Sequence, residues 1–299
     1  MTSAQTLDAG AGQLNDLTEE ERQAYRERGY FVREAIFDAD TLQTMRAAVE
    51  DIHRKVLAAA SSSDVERLEG MRFQDLLGSR IKWEWKEGVS EIRSMEPVFQ
   101  MSPEVDALID DERICTPIRG LLNAPAISLF TDKLNFKRPR GAPFPWHQDA
   151  PYWAFECPHL DKLISVQIYL DDATEENGCL WMIPGSHTRG HVPPPRERGD
   201  GPLARLYSDV REIEDLPRVP ITAPAGSAIF FDAWIVHGSK SNQSANSRRA
   251  LILTYQPENL PMRDSDVVRI PRRKRGGVAG IGRRVKGLLQ RVTGAAKPS

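Results

Sequence analysis

The segment Gly226-Ser-Ala-Ile-Phe-Phe-Asp-Ala-Trp-Ile-Val-His237 begins with a turn residue and continues with the composition of a buried strand. From Ala126 onward, similar short runs are separated by clusters of Gly, Pro, Asn and Asp. The predicted strands cover residues 127–137, 163–170, 179–183, 221–231 and 250–256. Many short strands after a helical N-terminal part predict a mainly β fold, a cupin-like jelly roll or double-stranded β-helix whose core is supported by helices.

The N-terminal part carries the helical signals. Thr18-Glu-Glu-Glu21 is a capping-box signature, and the helix that it starts is expected to end at Gly29. Apolar residues at helical spacing predict a second helix between Leu42 and Val56. Helical periodicity returns over residues 105–122, whereas residues 80–86 alternate and predict a strand.

The net charge of −2 conceals an asymmetry. From Arg263 onward there are 11 Lys and Arg residues against Asp264 and Asp266, so this segment is basic and the rest of the chain is acidic. We therefore expect a flexible N-terminus (1–16), one domain (17–262) and a basic, flexible tail (263–299). The tail could also form a short amphipathic helix that contacts anionic lipid or an acidic partner.

Composition excludes several classes of protein. The sequence has no apolar run of transmembrane length, and its polar N-terminus lacks the basic region of a signal peptide. Its three cysteines are widely spaced, without a Cys-x-x-Cys pair, which argues against a disulfide framework or a zinc ribbon. We expect a cytoplasmic protein that does not bind nucleic acid.

Two histidines and one aspartate are the candidate metal ligands. His147 and Asp149 are separated by Gln148, and residues i and i+2 of a strand point to the same side. His237, at the end of the predicted buried strand, would supply the third ligand. Such a set is the facial triad of non-haem Fe(II) oxygenases, although a catalytic zinc site can use the same ligand atoms. The pattern favours an oxygen-using enzyme.

Four sequence blocks resemble the phytanoyl-CoA dioxygenase-like hydroxylases, a family of Fe(II)/2-oxoglutarate-dependent oxygenases that includes ectoine hydroxylase. The resemblance extends over residues 17–257. The blocks are Pro145-Trp-His-Gln-Asp-Ala-Pro-Tyr152, Leu170-Asp-Asp-Ala-Thr-Glu-Glu-Asn-Gly-Cys-Leu180, Ile183-Pro-Gly-Ser-His187, and His237-Gly-Ser239 followed by Arg248. The resemblance implies Fe(II) as the metal, with 2-oxoglutarate and O2 as cosubstrates that yield succinate and CO2.

The resemblance also implies residue roles. His147, Asp149 and His237 match the iron ligands and form the catalytic set. Arg248 matches the arginine that binds the 5-carboxylate of 2-oxoglutarate, a role that suits a planar guanidinium. Since neighbours on a strand face opposite ways, only one of Arg248 and Arg249 should point inward. Ser239, Asn135, Thr131 and Gln167 match further positions near the cosubstrate, and Lys133 is a candidate because it shares the strand parity of Thr131 and Asn135.

The substrate is expected to be a small molecule. Aromatic residues close to the triad are the candidate substrate contacts. They are Trp153, Tyr152, Phe155 and Trp234. Oxygenases of this kind that halogenate lack the carboxylate ligand, so Asp149 favours hydroxylation or a related desaturation, epimerisation or ring closure over halogenation.

Two other functions compete with the enzyme. One is a jelly-roll protein that binds or senses a metal or small molecule without turnover. The other places the function in the basic tail, as a nucleic-acid or membrane protein. The triad together with Arg248 favours the enzyme.

Overall fold

The computed structural model describes residues 15–60, 65–84, 91–154, 157–198, 206–260 and 268–270. Its helices are α1 (Glu19–Arg28), α2 (Ala39–Ala59), α3 (Pro103–Asp106), α4 (Glu112–Leu122) and α5 (Ala150–Trp153). Its strands are β1 (Tyr30–Arg33), β2 (Glu66–Leu68), β3 (Met71–Leu76), β4 (Ser79–Trp83), β5 (Ile92–Glu96), β6 (Ile127–Asn135), β7 (Phe144–His147), β8 (Ile164–Tyr169), β9 (Leu180–Met182), β10 (Val219–Ile221), β11 (Ala228–Asp232), β12 (His237–Ser239), β13 (Ala250–Pro257) and β14 (Val268–Ile270).

The strands form two antiparallel sheets. The major sheet has the order β1-β11-β8-β13-β6-β5-β4-β3-β2, with β14 paired to β6, and the minor sheet has the order β10-β9-β12-β7. The strands of the roll are thus extended on one side by the hairpins of β2 to β5. The prediction of a mainly β jelly-roll core with supporting helices is confirmed.

The helices cover one face of the major sheet. Val49 and Ile52 of α2 and Ile118 of α4 are buried in the same apolar cluster as Leu134 of β6 and Leu251 of β13. A second cluster, which includes Met182, Phe231 and Ile235, joins residues of the two sheets. Since successive residues of a strand face opposite sides, the alternate residues of β6 and β13 face the minor sheet.

The capping box that opens α1 is present. Thr18 Oγ1 accepts a hydrogen bond from the Glu21 amide at 3.2 Å, and Glu21 Oε2 accepts one from the Thr18 amide at 2.9 Å. Gly29 ends the helix in the left-handed conformation, with φ of 84°. This part of the sequence prediction is confirmed because the determinants are local.

Two predicted elements are each divided in the structure. The helix predicted over 105–122 is interrupted between α3 and α4, where Asp111 caps α4 by accepting a hydrogen bond from the Arg113 amide. The strand predicted over 221–231 is β10 and β11 with a turn between them. Gly226 lies in that turn at φ 86°, and a Cβ there would lie 2.5 Å from Phe37 O. Only glycine satisfies both demands.

A buried carboxylate supports the turn that follows β5. Asp132 is 1% exposed and accepts hydrogen bonds from the amides of Val98 and Phe99, both at 2.9 Å. Burial raises the pKa of the Asp132 carboxyl to about 7, against the opposing effect of these amides. The contact fixes the chain immediately after Glu96.

The termini are described only in part. Residues 268–270, within the predicted basic tail, form β14 opposite residues 127–129 of β6. The rest of that tail after residue 270, and residues 1–14, lie outside the described residues. No helix in the described ranges is long and apolar enough to cross a membrane.

Candidate active site

The minor sheet brings the two candidate histidines together. His237 on β12 is directly opposite His147 on β7, and their ring centroids are 4.2 Å apart. Asp149 follows β7 at the start of α5. Its Oδ1 atom lies 3.8 Å from His147 Nε2 and 3.9 Å from His237 Nε2. One ligand atom from each side chain lies within 4.8 Å of the others, so the three can converge on one ion.

Each histidine is oriented by the carbonyl of the residue two positions before it in the chain. His147 Nδ1 lies 2.7 Å from Pro145 O, and His237 Nδ1 lies 3.0 Å from Ile235 O. A carbonyl only accepts, so each Nδ1 donates and the neutral ring leaves Nε2 as the free lone pair. Burial, and then the neighbouring His237, holds the pKa of His147 well below its usual value. The neutral form is the one that binds a metal.

Gln148 points away from the two ligands that flank it, as the strand spacing predicts. Its Nε2 donates to the carbonyls of Gly190 at 2.8 Å and Trp234 at 2.6 Å, and its Oε1 accepts from the Val192 amide at 2.9 Å. The side chain is fully buried. Gln148 therefore ties the ligand-bearing tripeptide to two neighbouring loops.

The donor set fits iron. Two imidazole nitrogens and one carboxylate oxygen, without a thiolate, are the ligands of a facial triad that leaves other coordination positions open. Zinc can use the same atoms, so the ligands alone do not identify the metal. Among the described residues, this is the cluster of His, Cys, Asp and Glu side chains that could hold an ion.

A cavity lies between the sheets and contains the triad in its wall. Arg248 lines it and is 2% exposed, and its Nη2 and Nε donate to Gly178 O at 2.8 and 3.2 Å. Within the described ranges no carboxylate forms an ion pair with Arg248. Burial lowers the pKa of its guanidinium. A buried cation without a counterion fits an anionic ligand.

The comparisons with known proteins agree with this geometry. The family model described as Phytanoyl-CoA dioxygenase (PhyH) matches residues 25–250. The chain belongs to the PhyH family. It is a non-haem iron- and 2-oxoglutarate-dependent dioxygenase. The iron and the cosubstrate expected from the sequence are thereby confirmed.

Two relatives illustrate the range of the PhyH family. The probable alpha-ketoglutarate-dependent hypophosphite dioxygenase of Stutzerimonas stutzeri is 30% identical over 240 residues, which cover 79% of this chain and 77% of that protein. The methylphosphonate hydroxylase of Gimesia maris is 34% identical over 168 residues, or 56% of this chain and 59% of that protein. The crystal structure of EctD from S. alaskensis with bound Fe superposes with a TM-score of 0.63 at 23% identity, covering 95% of this chain and 91% of that one, and shows the same fold.

The PhyH cavity contains further polar atoms near Arg248. Asn135 Oδ1 and Gln167 Nε2 are buried and have no hydrogen-bond partner among the described residues. Both side chains line the cavity, as does Ser239. Buried polar atoms are costly unless a ligand or water pairs with them. Gln167 Nε2 and the Arg248 guanidinium are donors and fit a cosubstrate that carries carboxylates, whereas Asn135 Oδ1 is an acceptor and fits a donor such as water.

Arg248 and Arg249 point in opposite directions, as their adjacent positions require. Arg249 forms ion pairs with Asp171 at 2.6 Å and Glu50 at 2.9 Å, away from the cavity. These contacts satisfy its guanidinium within the protein. Arg248 is thus the arginine that faces the triad.

Lys137 is a buried residue that sequence reasoning missed. Its Nζ donates to Ser239 Oγ at 2.7 Å and also to the carbonyl of Lys240. Burial, followed by the charges of Arg248 and Arg93, lowers the pKa of Lys137 to about 5. Thr131 and Asn135 are candidates from the family resemblance, and Lys133 was added because it shares their strand parity. The same alternation, continued by one step beyond Asn135, would have found Lys137.

Glu96 is the second residue that the sequence prediction missed, and it contacts two predicted residues, Thr131 and Lys133. Its Oε1 accepts a hydrogen bond from Thr131 Oγ1 at 2.7 Å, and its Oε2 lies 3.2 Å from Lys133 Nζ. All three side chains line the cavity. Glu96 thus holds Thr131 and Lys133 in one polar group, and none of the contacts described here joins that group to Arg248. No local sequence signal marks Glu96, since it reaches β6 from the adjacent β5.

The four predicted substrate contacts have different positions. Trp153 lines the cavity and packs edge-on against Phe130, with ring centroids 5.4 Å apart. Tyr152 is 40% exposed, and its ring lies edge-on to His147 at 5.8 Å. Trp234 packs in a small apolar cluster with Phe130 and is not among the residues that line the cavity. Phe155 lies outside the described residues.

Proposed function

We propose that His147, Asp149 and His237 bind the iron and that Arg248 binds the distal carboxylate of 2-oxoglutarate. The observation that carries this proposal is the presence, in one cavity, of three converging ligand atoms and a buried guanidinium that has no ion pair among the described residues. Ser239, Asn135 and Gln167 would complete the cosubstrate site. The product of the reaction would be a hydroxylated or otherwise oxidised small molecule.

The protein contributes binding, orientation and shielding from water. Iron with 2-oxoglutarate and O2 supplies the oxidising chemistry, and succinate and CO2 are the co-products. The carbonyls of Pro145 and Ile235 fix the two imidazoles, and Gln148 fixes the backbone between the first two ligands. Arg248 lines the cavity and would align the cosubstrate with the triad. The burial of Arg248 strengthens its electrostatic contact with a bound anion.

The substrate would enter beside Trp153, which lines the cavity near Asp149. Relatives of this chain are named for hypophosphite, methylphosphonate and L-proline, which are small polar molecules. A small polar substrate is therefore favoured here. Tyr152 is proposed to contact it at the rim, whereas contacts from Phe155 and Trp234 stay predictions from the sequence alone.

The proposal also covers the location of the protein and the role of its basic tail. Cys115, Cys157 and Cys179 are all buried, and none of them forms a disulfide within the described residues, which is compatible with a reducing, cytoplasmic location. The basic tail would contact anionic lipid or an acidic partner without taking part in the chemistry. Removing residues 271–299 is expected to leave turnover unchanged.

The proposal is tested by anaerobic titration of Fe(II) and 2-oxoglutarate into the purified protein. We expect the weak visible charge-transfer band of the iron chelate in the wild type and a weaker band at equal concentrations in Arg248→Lys, which keeps the charge but loses the planar fork. Arg249→Lys is the matched control. If the wild type binds iron but gives no band, the cosubstrate assignment is wrong, and the non-catalytic binding or sensing protein becomes the better explanation.

A further inference from the structure

We infer that Lys133, supported by Glu96 and assisted by Lys82, binds an anionic group of the substrate, either a carboxylate or a phosphonate. The inference rests on the proposed function, because it assumes that the cosubstrate occupies the end of the cavity at Arg248. It assigns Lys133 to the substrate, whereas the sequence alone placed it with the cosubstrate.

The first step is the position of Lys133 along the cavity. On β6, Asn135 pairs with Ala250, which is two residues from Arg248, whereas Lys133 pairs with Ile252. Each two-residue step along a strand advances about 6.6 Å, and Ile252 is two such steps from Arg248, so Lys133 lies about 13 Å along the strands from the position of Arg248. Thr131 is one further step away. Lys133 and Thr131 thus lie on the part of the wall that the cosubstrate leaves open.

The second step is the accessibility and charge of Lys133. Its side chain is 40% exposed because it faces the open cavity. Desolvation alone would lower the pKa of its ammonium, but Glu96 and Asp149 outweigh that effect and raise the pKa. Lys133 is therefore a charged donor at neutral pH. The hydrogen bond from Thr131 to the other oxygen of Glu96 fixes this carboxylate, which in turn orients Lys133.

The third step is the balance of charge behind Lys133. Lys82 shares this region and forms no ion pair with any residue that the structure describes, and it lies 5.7 Å from the ring of Phe73. Burial, then the charges of Arg93 and Lys133, lowers the pKa of Lys82 to about 7, while Glu84 and Glu96 act in the opposite direction. Arg93 pairs with Glu84 at 3.5 Å. Glu96 raises the pKa of both lysines, but it is within ion-pair distance of Lys133, at 3.2 Å.

An anion on this wall would remove the excess of positive charge. It would accept a charge-assisted hydrogen bond from Lys133 and would also favour the protonated form of Lys82. A neutral group of the same shape would gain neither effect. A purely cationic substrate would have to compete with both lysines for Glu96. The chemistry of the wall therefore selects a small oxyanion.

The test uses the anaerobic complex of the full chain with Fe(II) and 2-oxoglutarate, which cannot turn over. Ethylphosphonate, propanoate and the neutral analogue propanamide are titrated separately in a calorimeter. We expect at least one anion to bind at millimolar concentration, and propanamide to bind more weakly by about tenfold to a hundredfold. The two anions distinguish a phosphonate site from a carboxylate site.

Variants locate the binding. Lys133→Met is expected to reduce the affinity for the preferred anion by about tenfold to a hundredfold. Lys133→Arg is expected to keep most of that affinity. Both variants should give the wild-type chelate band. Lys82→Met should reduce the affinity for the anion by a smaller factor than Lys133→Met does. Lys162→Met, on the surface beside Asp161, is the matched control.

The inference is wrong if propanamide binds as well as the anions, if no anion binds, or if Lys133→Met keeps full affinity. Loss of the chelate band in Lys133→Met would instead assign Lys133 to the cosubstrate, while a missing band in the wild type would count against the proposed function.

Discussion

Lys137 donates a hydrogen bond to the Oγ atom of Ser239, 2.7 Å away, although both side chains are almost completely buried. Ser239 is two residues from His237 on β12, so this bond joins the end of β6 to the strand of a candidate iron ligand. Since the Lys137 amino group already donates to Ser239 Oγ, the hydroxyl proton of Ser239 is available for another acceptor. A carboxylate of 2-oxoglutarate would be that acceptor.

We expect Lys137→Met to weaken 2-oxoglutarate binding by about tenfold without changing iron affinity. The pKa of Lys137 is lowered to about 5, so it is largely neutral at pH 7 before the cosubstrate binds. A dianion nearby favours the charged form and raises that pKa, so binding takes up a proton and weakens as pH rises. Calorimetry in buffers of different ionisation enthalpy should detect this uptake in the wild type and not in the variant. Equal uptake in both would contradict the prediction.

Gln148→Glu should destabilise the protein and loosen the metal site. The new carboxylate would face the carbonyls of Gly190 and Trp234, which now accept hydrogen bonds from the Gln148 amide. We expect a loss of about 2–4 kcal/mol in the free energy of unfolding. Denaturant unfolding and an iron-binding titration measure the two effects. Gln243→Glu, at an exposed amide, is the control, and equal losses in both variants would refute a specific role for Gln148.

The stability of the metal-free protein should depend on His147. Its pKa is lowered by burial, so the folded state binds a proton less readily than the unfolded state. The free energy of unfolding should therefore decrease as pH falls below about 6.5, the ordinary value for histidine. His147→Gln should flatten this slope. The same variant should lose the rise in melting temperature that Fe(II) gives the wild type. An unchanged slope and an unchanged rise would both count against the assigned role.

Asp132→Asn tests a pH dependence of stability opposite in sign to that of His147. The pKa of Asp132 is raised to about 7, so the folded state holds this proton more tightly than the unfolded state. The carboxyl therefore costs increasing stability as pH rises from about 4 to 7, and the full cost applies above that range. Asparagine can still accept from the amides of Val98 and Phe99. The variant should gain stability relative to the wild type with rising pH, as measured by denaturant unfolding at several pH values. A constant difference would exclude this titration.

Much of the site could be predicted from the sequence because its patterns are local. The alternation that separates Arg248 from Arg249 depends on strand geometry alone. The two-residue spacing of His147 and Asp149 is also local, although only His147 lies in a strand and Asp149 begins α5. The division of the predicted strand at Gly226 depends on the approach of Phe37 O, which is distant in sequence. Glu96 was missed for a similar reason, since its contacts with Thr131 and Lys133 exist only because β5 is hydrogen-bonded to β6. Which distant strands pair in a sheet cannot be predicted from the sequence of one short segment.

The two sheets divide the cavity between them in a way that bears on how such a protein can change. His147 and His237 belong to the minor sheet, and each is oriented by a carbonyl two residues before it in the chain, so side-chain substitutions elsewhere leave that hydrogen bond in place. Lys133 and Glu96 belong to the major sheet. Mutations of these two residues can therefore accumulate without altering how the imidazoles are held. New substrates become accessible through changes at this proposed substrate wall, while the hydrogen bonds that orient the imidazoles persist.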